Sequence, residues 1–242
     1  MITAVFFDLY GTLANFQPSR FEVQSQACLE FGIKITEEGT IRGYKLADAY
    51  MSKENSIFPI STRTKNQRDQ FFWEYEKLIL EGNDVTVSIE MAGSIWNTLR
   101  KIPYKLVLFP DVVPEINKIK TIGIKTALIS NIDSDNNNII DELGLSQIFD
   151  VTISSNKIGA TKPDPIIFNA ALEQTGSIPE NTIHIGDQIL SDIQGALNSG
   201  IKPILIDRER NHIGYTEHPR IESLSELHRF IAYFRVSRAG RV

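Results

Sequence analysis

An uncharged apolar run, Ala4–Phe7 (AVFF), leads directly into Asp8–Leu13 (DLYGTL) near the start of the chain. The run has the length of one buried β-strand, and Gly11 marks the turn that follows it. Asp8 is therefore expected at the carboxyl end of a strand, where open α/β sheets build their sites. Because a buried carboxylate needs compensation, the pattern predicts that Asp8 has charged or hydrogen-bonding partners.

The remainder of the chain divides into two kinds of pattern. Beyond residue 104, apolar strands at 125–131, 150–154, 182–187 and 202–207 alternate with helical segments, including predicted helices at 134–143 and 191–198. This alternation predicts an α/β fold with a Rossmann-like doubly wound parallel sheet. Residues 16–103 instead show the apolar spacing of helices, over a length far beyond a normal crossover. We therefore predict an α/β core formed by residues 1–15 and 104–242, with an inserted α-helical cap domain at 16–103.

The composition limits the cellular setting and the partners. A net charge of −5 offers no basic surface for nucleic acid. The single cysteine, Cys28, excludes an internal disulfide framework and suits a reducing cytoplasm. No stretch reads as a signal peptide or a membrane span. We expect a cytoplasmic monomer or homodimer that acts on a small-molecule substrate, without nucleic-acid or membrane partners.

Polar residues lie where several predicted core strands end. Because the ends of parallel strands lie side by side, these residues are expected to share one crevice. They are Asp8, Ser130 and Asn131, Lys162 in a following loop, and Asp187 with Asp192.

These segments, in this order, resemble the four motifs of the haloacid dehalogenase superfamily of hydrolases, in the branch with a helical cap after the first strand. The matching segments are Phe7–Leu13, Leu128–Asn131, Lys162–Pro165 with Phe168, and Gly186–Asp192 with Gly195 and Ala196. The resemblance implies that Asp8 is a catalytic nucleophile that forms a covalent ester, which water then cleaves. Lys162 would keep Asp8 ionised by lowering its pKa and would neutralise charge on the substrate.

The same resemblance implies a ligand set. Thr12, Ser130 and Asn131 would bind substrate oxygens, and Mg²⁺ would be held by Asp8, the Tyr10 carbonyl, Asp187 and, directly or through water, Asp192. Other readings stay open, because Ser130 and Asn131 could cap the next helix and Asp192 could be a helix-start acid.

The residue type at position 10 differs between the phosphatases and the dehalogenases of the superfamily. Phosphatases of the superfamily usually carry a second aspartate there as acid and base, whereas its dehalogenases carry tyrosine, and Arg42 resembles the arginine that dehalogenases place over the substrate. Phe168 and the acidic Asp187–Asp192 segment favour a phosphatase, since an uncompensated Asp187 would repel a haloacid carboxylate.

The sequence thus predicts a Mg²⁺-dependent phosphatase that acts on a small phosphorylated metabolite through an aspartyl-phosphate, with Asp8, Tyr10 and Lys162 as catalytic residues. The alternatives are a metal-independent 2-haloacid dehalogenase and a catalytically weak phosphate-binding protein of the same fold.

Overall fold

The structure is a computed structural model that describes residues 1–132 and 138–236, apart from the side chains of 61 and 232–236. The chain forms two compact units. One consists of residues 1–15 and 108–242, and the other of residues 16–107. The boundary between the units at 107/108 lies four residues beyond the predicted boundary at 103/104.

The first unit is built on a six-stranded sheet with the order β5-β4-β1-β6-β7-β8, in which all neighbours are parallel. This arrangement confirms the predicted α/β class and its parallel sheet. The strands are β1 (Ala4–Phe7), β4 (Lys125–Ser130), β5 (Val151–Ser154), β6 (Thr182–Gly186), β7 (Lys202–Ile206) and β8 (Arg220–Ile221). The helices are α5 (Val112–Thr121), α6 (Ile139–Glu142), α7 (Leu145–Ile148), α8 (Ser155–Ile158), α9 (Pro165–Thr175), α10 (Gly195–Asn198) and α11 (Leu227–Val236).

The strand register brings the predicted motifs to one edge of this sheet. All four residues of β1 are buried, and Phe7 lies opposite Leu128 of β4 and Ile185 of β6. The Asp8 amide continues the ladder by donating to the Ile185 carbonyl at 2.9 Å. The residues that follow β1, β4 and β6 are therefore neighbours, as expected for the carboxyl ends of parallel strands.

The second unit is helical. It contains α1 (Arg20–Leu29), α2 (Glu37–Ile57), α3 (Lys65–Glu81) and α4 (Ile89–Leu99). Ser19 and Thr64 cap the starts of α1 and α3, where each hydroxyl accepts from the backbone N–H of Glu22 or Gln67 and each cap N–H donates to the side chain of that same residue. Apolar residues from α1, α3 and α4 form one of its cores, which encloses Cys28.

Some elements differ from the sequence prediction. The predicted helix 191–198 is a π-helix at Ile189–Gln194 that runs into α10. Strands β2 (Ala14–Gln17) and β3 (Lys105–Leu108) pair in a separate two-stranded sheet. Both β2 and the two-residue β8 are too short to give a periodic pattern. The predicted helix 134–143 lies partly outside the described residues. Over the described chain, no helix combines the length and hydropathy needed to cross a membrane.

Candidate active site

A buried lysine joins two buried carboxylates at the carboxyl edge of the sheet. The Lys162 ammonium donates to Asp8 Oδ1, and to Asp192 Oδ1 at 2.6 Å. The side chains of Lys162, Asp8 and Asp192 are 3%, 8% and 1% exposed. One cation is thus shared by two anions, which leaves this group of three with a net negative charge when all are ionised.

This shared lysine affects the two acids differently. Burial raises the pKa of Asp8 to about 6, because desolvation outweighs the attraction of Lys162 and the Asp192 carboxylate adds repulsion. Burial also acts on Asp192, but Lys162 and His184 more than offset it and lower its pKa to about 2. Lys162 lowers the pKa of Asp8, as expected, but desolvation by burial raises that pKa by more, so the net pKa lies above its usual value.

His184 is a member of this cluster that the sequence analysis missed. It is fully buried in β6, its Nε2 lies 3.0 Å from Asp192 Oδ1, and its ring meets Phe168 edge to face at 5.0 Å. Burial lowers the pKa of His184, so the neutral ring donates from Nε2 to the carboxylate. A histidine inside an apolar strand was the available signal, because such a ring needs a polar partner.

The carboxylate of Asp192 is thereby enclosed by donors. In addition to Lys162 and His184 on Oδ1, the Gln188 amide donates to Oδ2 at 3.1 Å. A Cβ atom on Gly186 would lie 2.1 Å from Asp192 Cγ, so glycine is what leaves room for this carboxylate over the end of β6. This arrangement fits a positioning role for Asp192, and direct metal ligation by it stays a prediction.

Three acids could hold a metal ion. One carboxylate oxygen from each of Asp8, Asp187 and Asp192 lies within 4.8 Å of the other two. Hard oxygen donors in such a group suit Mg²⁺. The residues present thus fit the predicted cofactor. Tyr10 lies in the loop after Asp8, partly exposed, and its main chain bridges to Ala14.

The predicted substrate-binding residues fall into two groups. Thr12 and Ser130 are fully buried, and their hydroxyl oxygens make no hydrogen bond to any described residue. Such hydroxyls are costly unless a ligand or water supplies a partner. Asn131 is different, because its side-chain amide donates to the Lys162 carbonyl at 3.1 Å and accepts from the Lys162 amide at 2.8 Å. It holds the main chain of the lysine, and direct contact between Asn131 and substrate stays a prediction.

Comparison with known proteins shows the family of the chain. The family model for haloacid dehalogenase-like hydrolases matches residues 2–200. The chain belongs to this family. It is 27% identical to the glyceraldehyde 3-phosphate phosphatase of Methanothermobacter thermautotrophicus, over 88% of this chain and 91% of that protein. The predicted membership in the superfamily, and with it the prediction of an enzyme, is confirmed.

Solved structures show the same fold. A magnesium-bound HAD-hydrolase from Bacillus subtilis, YfnB, superposes with a TM-score of 0.65 at 16% identity, covering 96% of this chain and 99% of that one. The 2-haloacid dehalogenase of Pseudomonas syringae pv. Tomato DC3000 superposes with a TM-score of 0.57 at 22% identity, covering 97% and 100%. Because both identities are low, these likenesses support the fold of the hydrolase and do not choose between the two chemistries.

The remaining predicted site residue of the hydrolase, Arg42, lies in the helical unit. Its side chain is 58% exposed and its guanidinium is 3.8 Å from the exposed carboxylate of Asp84. Arg20 is held more firmly in the same unit, since it donates to Asp48 at 2.7 Å and lies over the Tyr44 ring at 4.7 Å. Contact between Arg42 and substrate stays a prediction.

Gly11 provides a test of the acidic site. It adopts a φ of +73°, and a Cβ atom there would lie 2.3 Å from Asp187 Oδ2. Gly144 has a similar φ of +69° with nothing within 4 Å of its Cβ position.

Gly11→Ala and Gly144→Ala should each lower the free energy of unfolding by about 1–2 kcal/mol through backbone strain. Only Gly11→Ala should also displace Asp187, and we expect it to weaken Mg²⁺ binding at least about tenfold by loss of one carboxylate ligand. Isothermal titration with MgCl₂ checks this, and equal Mg²⁺ affinities in the two variants would contradict the placement of Asp187 as a ligand.

Proposed function

We propose that this hydrolase is a Mg²⁺-dependent phosphomonoesterase that forms an aspartyl-phosphate on Asp8. The observation that supports this most is the cluster of Asp8, Asp187 and Asp192, in which Lys162 contacts Asp8 and Asp192. Three carboxylates with a single buried cation would repel the carboxylate of a haloacid. The same acids with Mg²⁺ would attract a phosphate group.

The proposed reaction has two displacement steps at phosphorus. An Asp8 oxygen attacks the phosphorus atom, the bond from phosphorus to the ester oxygen breaks, and the departing alcohol takes up a proton. Water then attacks the phosphorus of the aspartyl-phosphate, loses a proton, and releases inorganic phosphate and the Asp8 carboxylate. Asp8 must be ionised to attack, and neutral pH satisfies this because its pKa is about 6.

Each neighbouring residue has a proposed task in this reaction. Asp8, Asp187 and the Tyr10 carbonyl would hold Mg²⁺, which when bound neutralises phosphate charge. The Lys162 ammonium contacts Asp8 and would also face the phosphate oxygens. The hydroxyls of Thr12 and Ser130 would donate to those oxygens, which gives two buried groups the partners that they lack among the described residues. Asp192 and Asn131 would position Lys162.

The substrate is proposed to be a small phosphorylated metabolite. The relative from Methanothermobacter thermautotrophicus is named for glyceraldehyde 3-phosphate, and a 22% identical relative from Halopiger xanaduensis is named for ribulose-1,5-bisphosphate. The helical unit is proposed to act as a cap that selects among such compounds, with Arg42 as a candidate contact.

A panel of phosphomonoesters together with 2-chloropropionate tests the proposal, each assayed with MgCl₂ and with EDTA. We expect phosphate release that EDTA abolishes and added Mg²⁺ restores. Halide release that is indifferent to EDTA would establish the dehalogenase alternative, which Tyr10 favours. Phosphate binding without turnover of any substrate would support the third alternative, a catalytically weak phosphate-binding protein.

Replacing Tyr10 tests whether the missing second aspartate limits the enzyme. A phenol with a pKa of about 10 is a poor base at neutral pH, and a well-placed acid and base contributes about 10²–10⁴ in rate. We expect Tyr10→Asp to raise kcat for phosphomonoesters at least about tenfold and Tyr10→Phe to leave it within about threefold. Steady-state kinetics at saturating Mg²⁺ measures both. If Tyr10→Phe instead lowers kcat strongly and Tyr10→Asp does not raise it, the phenol itself is the acid.

A further inference from the structure

Arg208 makes a long-range side-chain hydrogen bond to the loop after the nucleophile. Its Nε donates to the Thr12 carbonyl at 2.9 Å, across 196 residues of sequence. Its two terminal nitrogens donate to the two oxygens of Asp111, each at 3.0 Å. The guanidinium lies 3.9 Å from the centroid of the Phe109 ring, and only 10% of the side chain is exposed.

The carboxylate that orients Arg208 is itself firmly held. Asp111 Oδ2 accepts from the Ser223 hydroxyl at 2.7 Å and from the Leu224 amide at 2.9 Å. Burial alone would raise the pKa of Asp111, but the hydrogen bonds from Arg208 and Ser223 hold it below its usual value. Asp111 is therefore charged at neutral pH, and the planar guanidinium of Arg208 binds both of its carboxylate oxygens in a bidentate contact.

Thr12 is the point at which this network meets the proposed phosphate site. It is fully buried, and its hydroxyl makes no hydrogen bond to a described residue, whereas its carbonyl is held by Arg208. Because the Thr12 side chain projects from this main chain, holding the carbonyl restrains the positions that the hydroxyl can take.

We propose that Arg208 is a positioning residue for substrate, which acts through the Thr12 main chain to aim the Thr12 hydroxyl at a phosphate oxygen. This inference rests on the proposed function. A contact of this kind is made equally in the ground state and the transition state, so its loss should raise KM and leave kcat nearly unchanged.

Arg208→Lys tests the proposal. Lysine keeps the positive charge opposite Asp111, but it lacks the planar guanidinium whose Nε donates to the Thr12 carbonyl while the two terminal nitrogens donate to Asp111. Arg220 offers a matched control. It is 17% exposed and donates to Asp207 at 2.7 Å and to Glu222 at 3.1 Å, and none of its recorded contacts is with the loop after Asp8. We expect Arg208→Lys to raise KM for a phosphomonoester about tenfold with kcat within about twofold, and Arg220→Lys to change neither, since one charge-assisted hydrogen bond is lost at the site only in the first case.

A double-mutant cycle separates this role from a general structural one. In a Thr12→Ala background the Arg208→Lys change should raise KM less than about twofold, because its effect passes through the hydroxyl that is already absent. An unchanged KM in Arg208→Lys, or a full tenfold rise that persists in Thr12→Ala, would overturn the inference. Equal losses of kcat in Arg208→Lys and Arg220→Lys would also overturn the inference.

Direct binding keeps this test distinct from that of the proposed function. Isothermal titration of the full chain with inorganic phosphate in MgCl₂ requires no turnover. Weaker phosphate binding in Arg208→Lys and unchanged binding in Arg220→Lys would support the inference even if no phosphomonoester were hydrolysed. Equal phosphate affinities in these variants and the unmodified chain would refute it even if the enzyme proves to be a phosphatase.

Discussion

Asp8→Asn is expected to lower kcat/KM for phosphomonoesters by at least about 10⁴-fold, because an amide cannot form the aspartyl-phosphate. The fold should survive, since asparagine has nearly the same shape as aspartate and its oxygen can still accept from the Lys162 ammonium. Steady-state phosphate release measures the effect, and circular dichroism with thermal unfolding verifies the fold.

A carboxylate at the amino-terminal ends of the strands, away from the candidate active site, supplies the matched control. Asp150 lies immediately before β5 and accepts from the Thr126 amide at 2.8 Å. Asp150→Asn should reduce activity by less than about threefold, because the site does not include it and surface substitutions of this kind have small effects. Substantial phosphate release by Asp8→Asn, in a preparation free of contaminating phosphatase, would show that another group is the nucleophile.

Lys162→Met is expected to have the second-largest effect, on stability as well as on activity. It removes the only cation recorded in contact with both Asp8 and Asp192 among the described residues and leaves two buried carboxylates close together. Breaking a buried ion pair from one side costs about 3–5 kcal/mol, so the free energy of unfolding in EDTA should fall by about that much. Loss of charge stabilisation at the phosphate should also lower kcat/KM by about 10²–10³-fold.

Denaturant unfolding in EDTA, repeated with MgCl₂, measures this change. Mg²⁺ should recover part of the lost stability, because it would supply positive charge to Asp8 and Asp187. Lys118→Met is the control, since Lys118 is 70% exposed and pairs with Glu115 on the surface of α5, where an ion pair contributes about 0–1 kcal/mol. If Lys162→Met unfolds at the same denaturant concentration as Lys118→Met, the charge balance described for the site is wrong.

The arrangement of the strand ends could be predicted from the sequence. A buried strand that runs into an acid and a glycine places that acid at the carboxyl edge of a parallel sheet, and the later strands repeat the pattern. This reasoning predicts that Asp8, Lys162, Asp187 and Asp192 lie close together, and the structure places their polar atoms in one cluster.

The balance of energies within that cluster could not be predicted in the same way. The pKa of Asp8 depends on how much water burial removes and on how Lys162 is divided between two acids, and neither quantity is visible in a motif. The π-helix that brings Asp192 back towards His184 has no simple periodic signature.

Long-range contacts were the other part that sequence reasoning could not reach. Arg208 and Thr12 are far apart in the chain, and an arginine after a strand usually reads as a solvated surface residue. Only the packing of β7 and of the segment around Asp111 shows that Arg208 lies beside the nucleophile loop.

Peptide mapping of the acid-quenched enzyme during turnover tests the central claim most directly. With a phosphomonoester and Mg²⁺ present, we expect a phosphoryl group on the peptide that contains Asp8, and no such group in EDTA or in Asp8→Asn. Because Tyr10 makes a weak base for the second step, the phosphorylated form should accumulate, and less of it should remain in Tyr10→Asp. Steady phosphate release with an unmodified Asp8 peptide at every quench time, or with the phosphoryl group on another residue, would contradict the account.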